Sequence, residues 1–397
     1  MTEPVRAEGG PATGVFSELV GQAAVVEQLQ TAVAAVPAHA WLFTGPPGSG
    51  RSNAARAFAA ALNCEAGGGC GECRSCQLIM GGTHPAVSMV STENVTYRIE
   101  DVRELVGTAQ DRPQGANWRV IVIEDADRMT ERATNVLLKA IEEPPPQTVW
   151  VLCAPSPADV LVTIRSRCRL VSLRIPPSDA VAKLLVERDG LSPEQASFAA
   201  RVSQNHVGVA RRLARDPEAR KRREHVVSLP LRVASASTAV LAAGELVSIA
   251  QTEADADAET RLAEETAALR RSLGLEPKEK IPAKLRAQFK RLEDESSRRA
   301  KRAVHDALDR TLVDLTAVCR DVLAIKLGGG EAGAAELING HLREQLVDYA
   351  GRLSAEQALE CLDALNSARE RIAGNVPPQL AMEAMMMQLI PRRSTGA

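Results

Sequence analysis

The chain has no long hydrophobic run. Nothing in it approaches the 18 uninterrupted apolar residues of a membrane-crossing helix, so no membrane partner is expected. It also lacks an excess of positive charge. Lys and Arg number 48 against 50 Asp and Glu, for a formal net charge of -2. A global attraction to nucleic acid is therefore excluded, and any such contact has to come from a local patch or from partner subunits. The opening residues, MTEPVRAEGGPATG, contain no apolar stretch of the kind a signal peptide needs, which leads to the expectation of a cytoplasmic protein. Aromatics make up only 3% of the chain, alanine is abundant and arginine outnumbers lysine, a composition that fits a high-GC bacterial genome and carries no functional weight. Cysteine is not scarce, but its eight copies are unevenly placed: four crowd between Cys64 and Cys76, while Cys153, Cys168, Cys319 and Cys361 are scattered. That distribution favours a metal site over a disulfide framework.

What is present is an ordinary soluble composition. With 397 residues, 45% hydrophobic and 25% charged, the length predicts two or three domains with sizeable cores. Residues 1–13, rich in Gly, Pro and Ala, read as a flexible tail. After Val20-Gly21-Gln22, the stretch AAVVEQLQTAVAAV has apolar residues three and four apart and predicts an amphipathic helix ending before Pro37. Five short apolar runs follow, at 40–43, 86–90, 119–124, 148–153 and 169–173, separated by helical patterns at 52–62, 97–109 and 130–141. This alternation predicts an α/β layer with a parallel five-stranded sheet over residues 14–176. From about Pro177 the pattern is helical only. Short helices at 179–188, 193–203 and 207–214 suggest a small helical domain over 177–216, and longer helices fill 217–397.

The loop between the first strand and the next helix is the most informative stretch. Gly45-Pro46-Pro47-Gly48-Ser49-Gly50-Arg51-Ser52 matches the phosphate-loop pattern except that Arg51 stands where lysine is expected. A strand, a glycine-rich turn and a helix N-terminus gather backbone N–H groups and the positive end of a helix dipole around one point, which suits a triphosphate. Ser52 would reach Mg2+ through its hydroxyl. Lysine is a compact point charge, whereas guanidinium is broad and planar, so Arg51 keeps the charge without the fit. ATP binding can survive such a change while hydrolysis suffers; a tight Gly-Pro turn with no ligand is the alternative.

Hydrolysis also needs an acid at the end of a neighbouring strand for Mg2+ and a second to polarise water. Here Ile123 leads into Glu124-Asp125-Ala126-Asp127, with Glu before Asp, the reverse of the usual order. Moving the second carboxylate back by a methylene shifts it by about 1 Å, an error on the order of a hundredfold in rate. Cys64, Cys70, Cys73 and Cys76 form C-x5-C-x2-C-x2-C, a spacing that suits a closed tetrahedral Zn2+ site, with Gly67, Gly68, Gly69 and Gly71 permitting tight turns. No ligand position is left open for catalysis. Ser166-Arg167-Cys168 lies just before the fifth strand; Arg167 either pairs with a carboxylate on the sheet rim or acts as an arginine finger on a neighbour's ATP. Two charged stretches remain open in the same way. Residues 211–223, RRLARDPEARKRR, are an exposed helix face or a phosphate-neutralising tract, and the insertion at about 253–302 is a solvated helical hairpin or a regulatory or DNA-contacting arm. The insertion is acidic first and basic second, with Gly274, Pro277 and Pro282 breaking its middle.

Together these motifs resemble the bacterial clamp-loader subunits of the AAA+ superfamily. The resemblance rests on Val20-Gly21-Gln22, the Gly45–Ser52 loop, the four-cysteine insertion after the loop's helix and Glu124-Asp125-Ala126-Asp127. It rests further on Asn135-Val136-Leu137-Leu138-Lys139 with Glu142-Glu143-Pro144-Pro145, and on Ser166-Arg167-Cys168. It covers about residues 15–213 in motif detail. It implies a AAA+ α/β domain, a helical lid and a C-terminal helical collar that holds five subunits in a ring. It also implies that Arg167 completes the ATP site of an adjacent tau/gamma subunit and that Arg211 occupies the position of a nucleotide-sensing lid arginine. The partners it implies are the tau/gamma and delta subunits, the sliding clamp and primer-template DNA, within the DNA polymerase III holoenzyme. Ala154-Pro155 stands where active relatives carry a hydroxyl after the fourth strand, a third departure at a catalytic position. Three readings are thus in play: a weak or inactive interaction subunit, a true tau/gamma-type ATPase, and a zinc-dependent nucleic-acid-binding module on the same scaffold.

Overall fold

The computed structural model describes residues 14–92, 96–110, 115–272, 275–276, 281–282, 285–328 and 337–392. The expected tail at 1–13 and the helix breakers Gly274 and Pro277 lie outside them. The chain forms two compact units, Met1–Arg215 and Asp216–Ala397.

In the first unit, helix α1 (Ala23–Ala34) precedes strand β1 (Ala40–Thr44), and helix α2 (Arg51–Leu62) is followed by a short helix α3 (Arg74–Met80). Strand β2 (Val87–Val90), helix α4 (Ile99–Ala109), strand β3 (Arg119–Ile123) and helix α5 (Glu131–Glu142) come next. Strand β4 (Thr148–Ala154), helix α6 (Val162–Arg165) and strand β5 (Arg169–Ser172) complete the layer, and helices α7 (Ser178–Asp189), α8 (Pro193–Val202) and α9 (Val207–Arg215) end the unit. All strands pair in parallel in the order β2-β3-β4-β1-β5. The five expected strands are all present.

The strand side chains alternate between two cores, as the period of a pleated sheet requires. From β1, Trp41 and Phe43 enter a cluster with α1 and α2, while Ala40 and Leu42 enter one with α4 and α5. With both faces covered, the strands are buried runs rather than polar-apolar alternations. The scarce aromatics are concentrated here: the Trp41 and Phe58 rings meet edge-on with centroids 4.9 Å apart. Helix α2 is almost all alanine on its inner face, so its backbone lies close to the sheet and fixes the direction of its N-terminus. Helix α5 starts on Thr130, whose side chain accepts from the Ala133 N–H, and stops before the proline run at 144–146. Helix α3 begins inside the cysteine cluster, where the sequence reading placed no element. Its N-cap is the Cys73 thiol, which accepts from the Cys76 N–H. Helices α7–α9 bury their own small cluster around Val181, Leu185, Ala196 and Ala210.

Among the described residues the second unit has helices and no strand: α10 (Pro217–Ser228), α11 (Ala236–Ser272), α12 (Arg286–Lys326), α13 (Arg343–Arg352), α14 (Ala355–Ala373) and α15 (Pro378–Gln388). Its core runs along α11, α12, α14 and α15, reaching Ala254 on α11 and Val304 on α12. A buried polar network ties its chain crossings together. Arg223 donates to Asp314 at 2.9 Å and to Asn339 Oδ1 at 3.1 Å, and the fully buried Asp321 accepts from the Ile338 and Asn339 backbone N–H groups. Among the described residues, no helix is long and apolar enough to cross a membrane.

Candidate functional site

The loop Gly45–Gly50 leaves the C-terminal end of β1, a central strand, and turns directly into α2. Gly48 and Gly50 hold φ of 89° and 86°, the left-handed region that glycine adopts without strain. Space matters as well as φ at Gly48, because a Cβ there would meet the His206 ring at 3.0 Å. Gln22 clamps the loop from outside. Its side-chain amide donates to the carbonyls of Ser49 at 3.3 Å and Arg174 at 2.5 Å, and its Oε1 accepts from the Arg174 N–H at 3.3 Å. This one side chain joins the loop to the chain leaving β5.

Arg51 does not extend away from the loop. Its Nη1 donates to the Gly45 carbonyl at 2.6 Å, so the cation closes the loop on itself. Ser49 Oγ is buried and has no hydrogen-bond partner among the described residues. An unpaired buried hydroxyl carries a desolvation cost of about 1–3 kcal/mol, the kind of vacancy a ligand oxygen relieves. A pocket of about 370 Å³ opens over this surface, lined by Pro47–Asn53, Glu18, Val20 and Gln22 on one side and His206–Gly208 on the other. Of the expected nucleotide-binding residues, Pro47, Gly48, Ser49, Gly50, Arg51 and Ser52 line it; Gly45 and Pro46 form the stem beneath.

The acids follow β3 on the same edge of the sheet. β3 and β4 are in register at Ile123 and Leu152, and β1 and β4 at Thr44 and Ala154, so Glu124 and Asp125 leave the sheet level with the loop. Glu124 and Asp125 do not line the pocket. Asp125 takes a left-handed conformation, φ 51°, and lies 4.0 Å from Arg128. The charges still feel one another. Burial first, with Glu124 and Asp125 adding and Arg51 opposing, pushes the Cys153 thiol up to about 12. Burial likewise raises the Asp127 carboxyl, assisted by Asp125, and its Oδ1 has no hydrogen-bond partner among the described residues. Ala154, buried at the end of β4, brings no hydroxyl; beside it the Pro155 carbonyl accepts from the Gly45 N–H at 3.2 Å.

Arg211 is not brought to the pocket. Its guanidinium grips Asp189 through Nε at 3.0 Å and Nη2 at 3.1 Å, and Arg215 holds the same carboxylate. Across the pocket from the loop stands His206, just before α9, whose Nδ1 accepts from the Val209 N–H at 3.4 Å and so caps that helix. Arg167 stands on the surface between α6 and β5. Its Nη1 donates to the Thr163 carbonyl at 2.8 Å, and its Nη2 pairs with Glu142 at 2.6 Å. Sequence reasoning had no means to name Gln22, His206 or Glu142 as neighbours of these groups. Gln22 and Glu142 stood inside recognised motifs, but nothing local indicates their partners.

Cys64, Cys70, Cys73 and Cys76 do converge: their sulfurs all lie within 4.8 Å of one another. A Zn2+ held by four thiolates at about 2.3 Å implies sulfur separations near 3.8 Å, so the donor set fits. Gly67, Gly68, Gly69 and Gly71 all have positive φ, as the tight turns demand. Backbone N–H groups of Cys70, Cys73 and Cys76 donate to the sulfurs of Cys64, Cys70 and Cys73 at 3.3, 3.3 and 3.5 Å. Burial raises the Cys64 thiol, but the hydrogen bonds outweigh it and bring it down to about 6; the Cys76 N–H leads in lowering Cys73. Cys76 is dominated by burial and moves up. The cluster also anchors the beginning of the described chain, because the Val15 N–H donates to the Gly69 carbonyl at 3.0 Å and buries Phe16 against α2.

A glycine-rich loop between a central parallel strand and a helix, with acids after the adjacent strand, defines a P-loop-type α/β domain whose catalytic positions are altered. Residues 21–177, about two fifths of the chain, match the family model described as DNA polymerase III, delta subunit. The chain is 37% identical over 164 residues to the DNA polymerase III subunit delta' of Pseudomonas aeruginosa, covering 40% of this chain and 50% of that protein. It is 34% identical over 177 residues to the Escherichia coli delta' subunit, covering 43% and 53%. The subunit gamma/tau of Mycobacterium tuberculosis is 33% identical over 191 residues, covering 46% of this chain and 33% of that protein. The chain thus spans about half the length of the delta' relatives it matches, or less for gamma/tau. The structure of a DNA polymerase III gamma subunit-related protein from Thermotoga maritima aligns over 92% of this chain and 98% of its own, at 16% identity and a TM-score of 0.41.

Proposed function

We propose that this protein is a delta'-type subunit of the DNA polymerase III clamp loader, acting in the cytoplasm as a partner in ATP hydrolysis rather than as an ATPase. The observation that carries this reading is the bond from Arg51 to the Gly45 carbonyl at 2.6 Å. The group that would meet a transferring phosphoryl is engaged by the loop itself. Glu124-Asp125 in reversed order and Ala154 in place of a hydroxyl support the same conclusion. The pocket over Gly48–Ser52 leaves room for a nucleotide, which would be held by loop N–H groups and by Ser52 with Mg2+, without the fittings for turnover.

In this reading, residues 14–176 are the AAA+ domain, 177–216 its lid and 217–397 the collar that joins tau/gamma and delta neighbours in a five-subunit ring. Arg167 is the residue that acts on ATP, in trans. Its guanidinium would leave Glu142 and stabilise the charge that develops on a phosphoryl group in an adjacent tau/gamma site, helping the ring load the sliding clamp onto primed DNA. The four cysteines would hold a structural Zn2+ that crosslinks the end of α2 to the beginning of the chain. Arg211, fixed on Asp189, serves the lid's internal order unless nucleotide draws it away.

The test compares two ATPase measurements. The isolated chain is expected to show no turnover above background. The reconstituted loader carrying Arg167→Ala is expected to lose ATPase activity by a factor on the order of 10³ at the affected site. An unchanged rate in that complex would sink the proposal, and robust turnover by the isolated chain, abolished by Arg51→Ala, would establish a tau/gamma-type motor instead.

A further inference from the structure

The second unit carries a feature that its core does not require. Among the described residues the unit's main buried cluster reaches Ala254 on α11 and Val304 on α12, yet both helices continue, to Ser272 on one side and from Arg286 on the other. Eighteen further residues of α11 extend about 27 Å at 1.5 Å per residue. Within this arm the acidic stretch of α11 is matched to α12: Glu265 pairs with Arg299, and Glu253 with Arg310 at 3.1 Å. Beyond Glu265 the balance changes sign. Residues 270–291 contain eight Lys or Arg and two Glu, a net charge of +6 in a chain whose total is -2.

The described basic side chains at this end divide into two groups. Arg270 is engaged, lying over the Phe289 ring at 5.7 Å and donating to the Glu276 carbonyl. Arg271, Arg286 and Lys290 are exposed and form no ion pair among the described residues. Arg286 and Lys290 are four apart and share a helix face. The tract 211–223 shows the opposite behaviour. Arg211 and Arg215 hold Asp189, Lys221 holds Glu218, Arg222 holds Asp216 and Arg223 holds Asp314. The sequence offered both stretches as phosphate contacts, and only the arm leaves its charges available.

We propose that Arg271, near the end of α11, and Arg286 and Lys290, at the start of α12, form a contact for the phosphate backbone of duplex nucleic acid, independent of base sequence. Charge complementarity is the basis: three unpaired cations on a stiff two-helix arm, concentrated against the sign of the rest of the chain. Single-stranded nucleic acid fits less well, because the aromatic side chain here, Phe289, is buried under Arg270 and offers no stacking face. A lipid surface fits less well too, since among the described residues none of the exposed large hydrophobics lies between Ala254 and Lys326. The inference concerns the arm alone and does not rest on the clamp-loader reading.

The experiment is equilibrium binding of the full chain to a fluorescent 20-base-pair duplex across a salt series beginning near 50 mM. Wild type is expected to bind weakly, with Kd on the order of 10⁻⁵ M. The triple variant Arg271→Glu, Arg286→Glu, Lys290→Glu should bind at least tenfold more weakly, with a log-log salt slope smaller by about 3, near 0.9 for each phosphate released. A control with three reversals elsewhere, Arg132→Glu, Lys183→Glu, Lys221→Glu, should stay within about threefold of wild type by the same electrostatic reasoning. Circular dichroism and unfolding midpoints confirm folded chains, and the milder glutamine triple at the arm should show the same direction. No duplex binding by wild type, equal losses in both triples, or tighter binding to anionic vesicles or polyglutamate than to duplex would each overturn the proposal.

Discussion

Helix α2 carries a glycine-rich loop at each end, and the two ends differ in what their side chains are free to do. At its N-terminus the loop keeps its turns, its positive φ values and its clamp from Gln22, while Arg51 turns inward onto Gly45. Beyond its C-terminus, four sulfurs converge within 4.8 Å with backbone N–H groups already directed at three of them. Both ends have tight glycine turns, but only at the cysteine end do the side chains converge on one point as a full set of candidate ligands. Scaffold and chemistry are therefore separable in this fold: glycine positions report the path of the chain, and the charged or ligating residues report what the path still does.

The contrast can be broken at either end. The largest effect is expected at the cysteines. Purified protein should contain about one zinc per chain, and Cys73→Ser should lose it, with destabilisation on the order of 3 kcal/mol, or about 6 to 12 °C in Tm. Metal analysis and thermal unfolding check this, and wild-type protein free of metal would remove the distinction between the two ends. A smaller loss is expected at the loop end. Gln22→Ala leaves the Ser49 and Arg174 carbonyls without their donor and should cost about 1–3 kcal/mol, read from denaturant midpoints. An unaltered midpoint would mean that the loop's shape does not depend on the clamp.

The smallest effect concerns Asp127, whose carboxyl is raised by burial. Its folded-state pKa lies above the unfolded one, so the folded chain favours the protonated form and stability falls as pH rises through the window between them. Asp127→Asn should therefore raise the unfolding midpoint at neutral pH, and the advantage should vanish below the unfolded carboxyl value of about 4. A midpoint difference that is flat with pH would assign the effect to shape rather than charge.

The sheet was legible because its strands are short β-branched or apolar runs between polar boundaries, and such runs do not depend on distant partners for recognition. The cysteine set was equally legible, since ligand type and spacing are local. Helix α3 was hidden by the same cysteines: a seven-residue helix capped by a thiol shows neither the usual cap residue nor a full apolar period. The contacts that define the loop were out of reach for a different reason. Gln22 and Arg174 are 152 positions apart, and His206 comes to Gly48 from the far side of β5, α7 and α8 along the chain. The misfit of Arg51 was visible in the pattern, but its attachment to Gly45 is a choice of rotamer. Arg211 shows the same limit, because sequence position marked it for the pocket and tertiary structure gave it to Asp189.

The ion pair between Arg167 and Glu142 has an energetic consequence. Its side chains are 39% and 41% exposed, and pairs in that setting contribute about 0–1 kcal/mol to stability. Glu142 thus behaves as a holster: it orients the guanidinium at the rim and releases it for little more than thermal energy. A buried, tightly held pair would cost several times more to open, and a side chain with no partner would have to be ordered from many rotamers. Weak parking is compatible with the role in trans proposed for Arg167, which requires the guanidinium to leave Glu142.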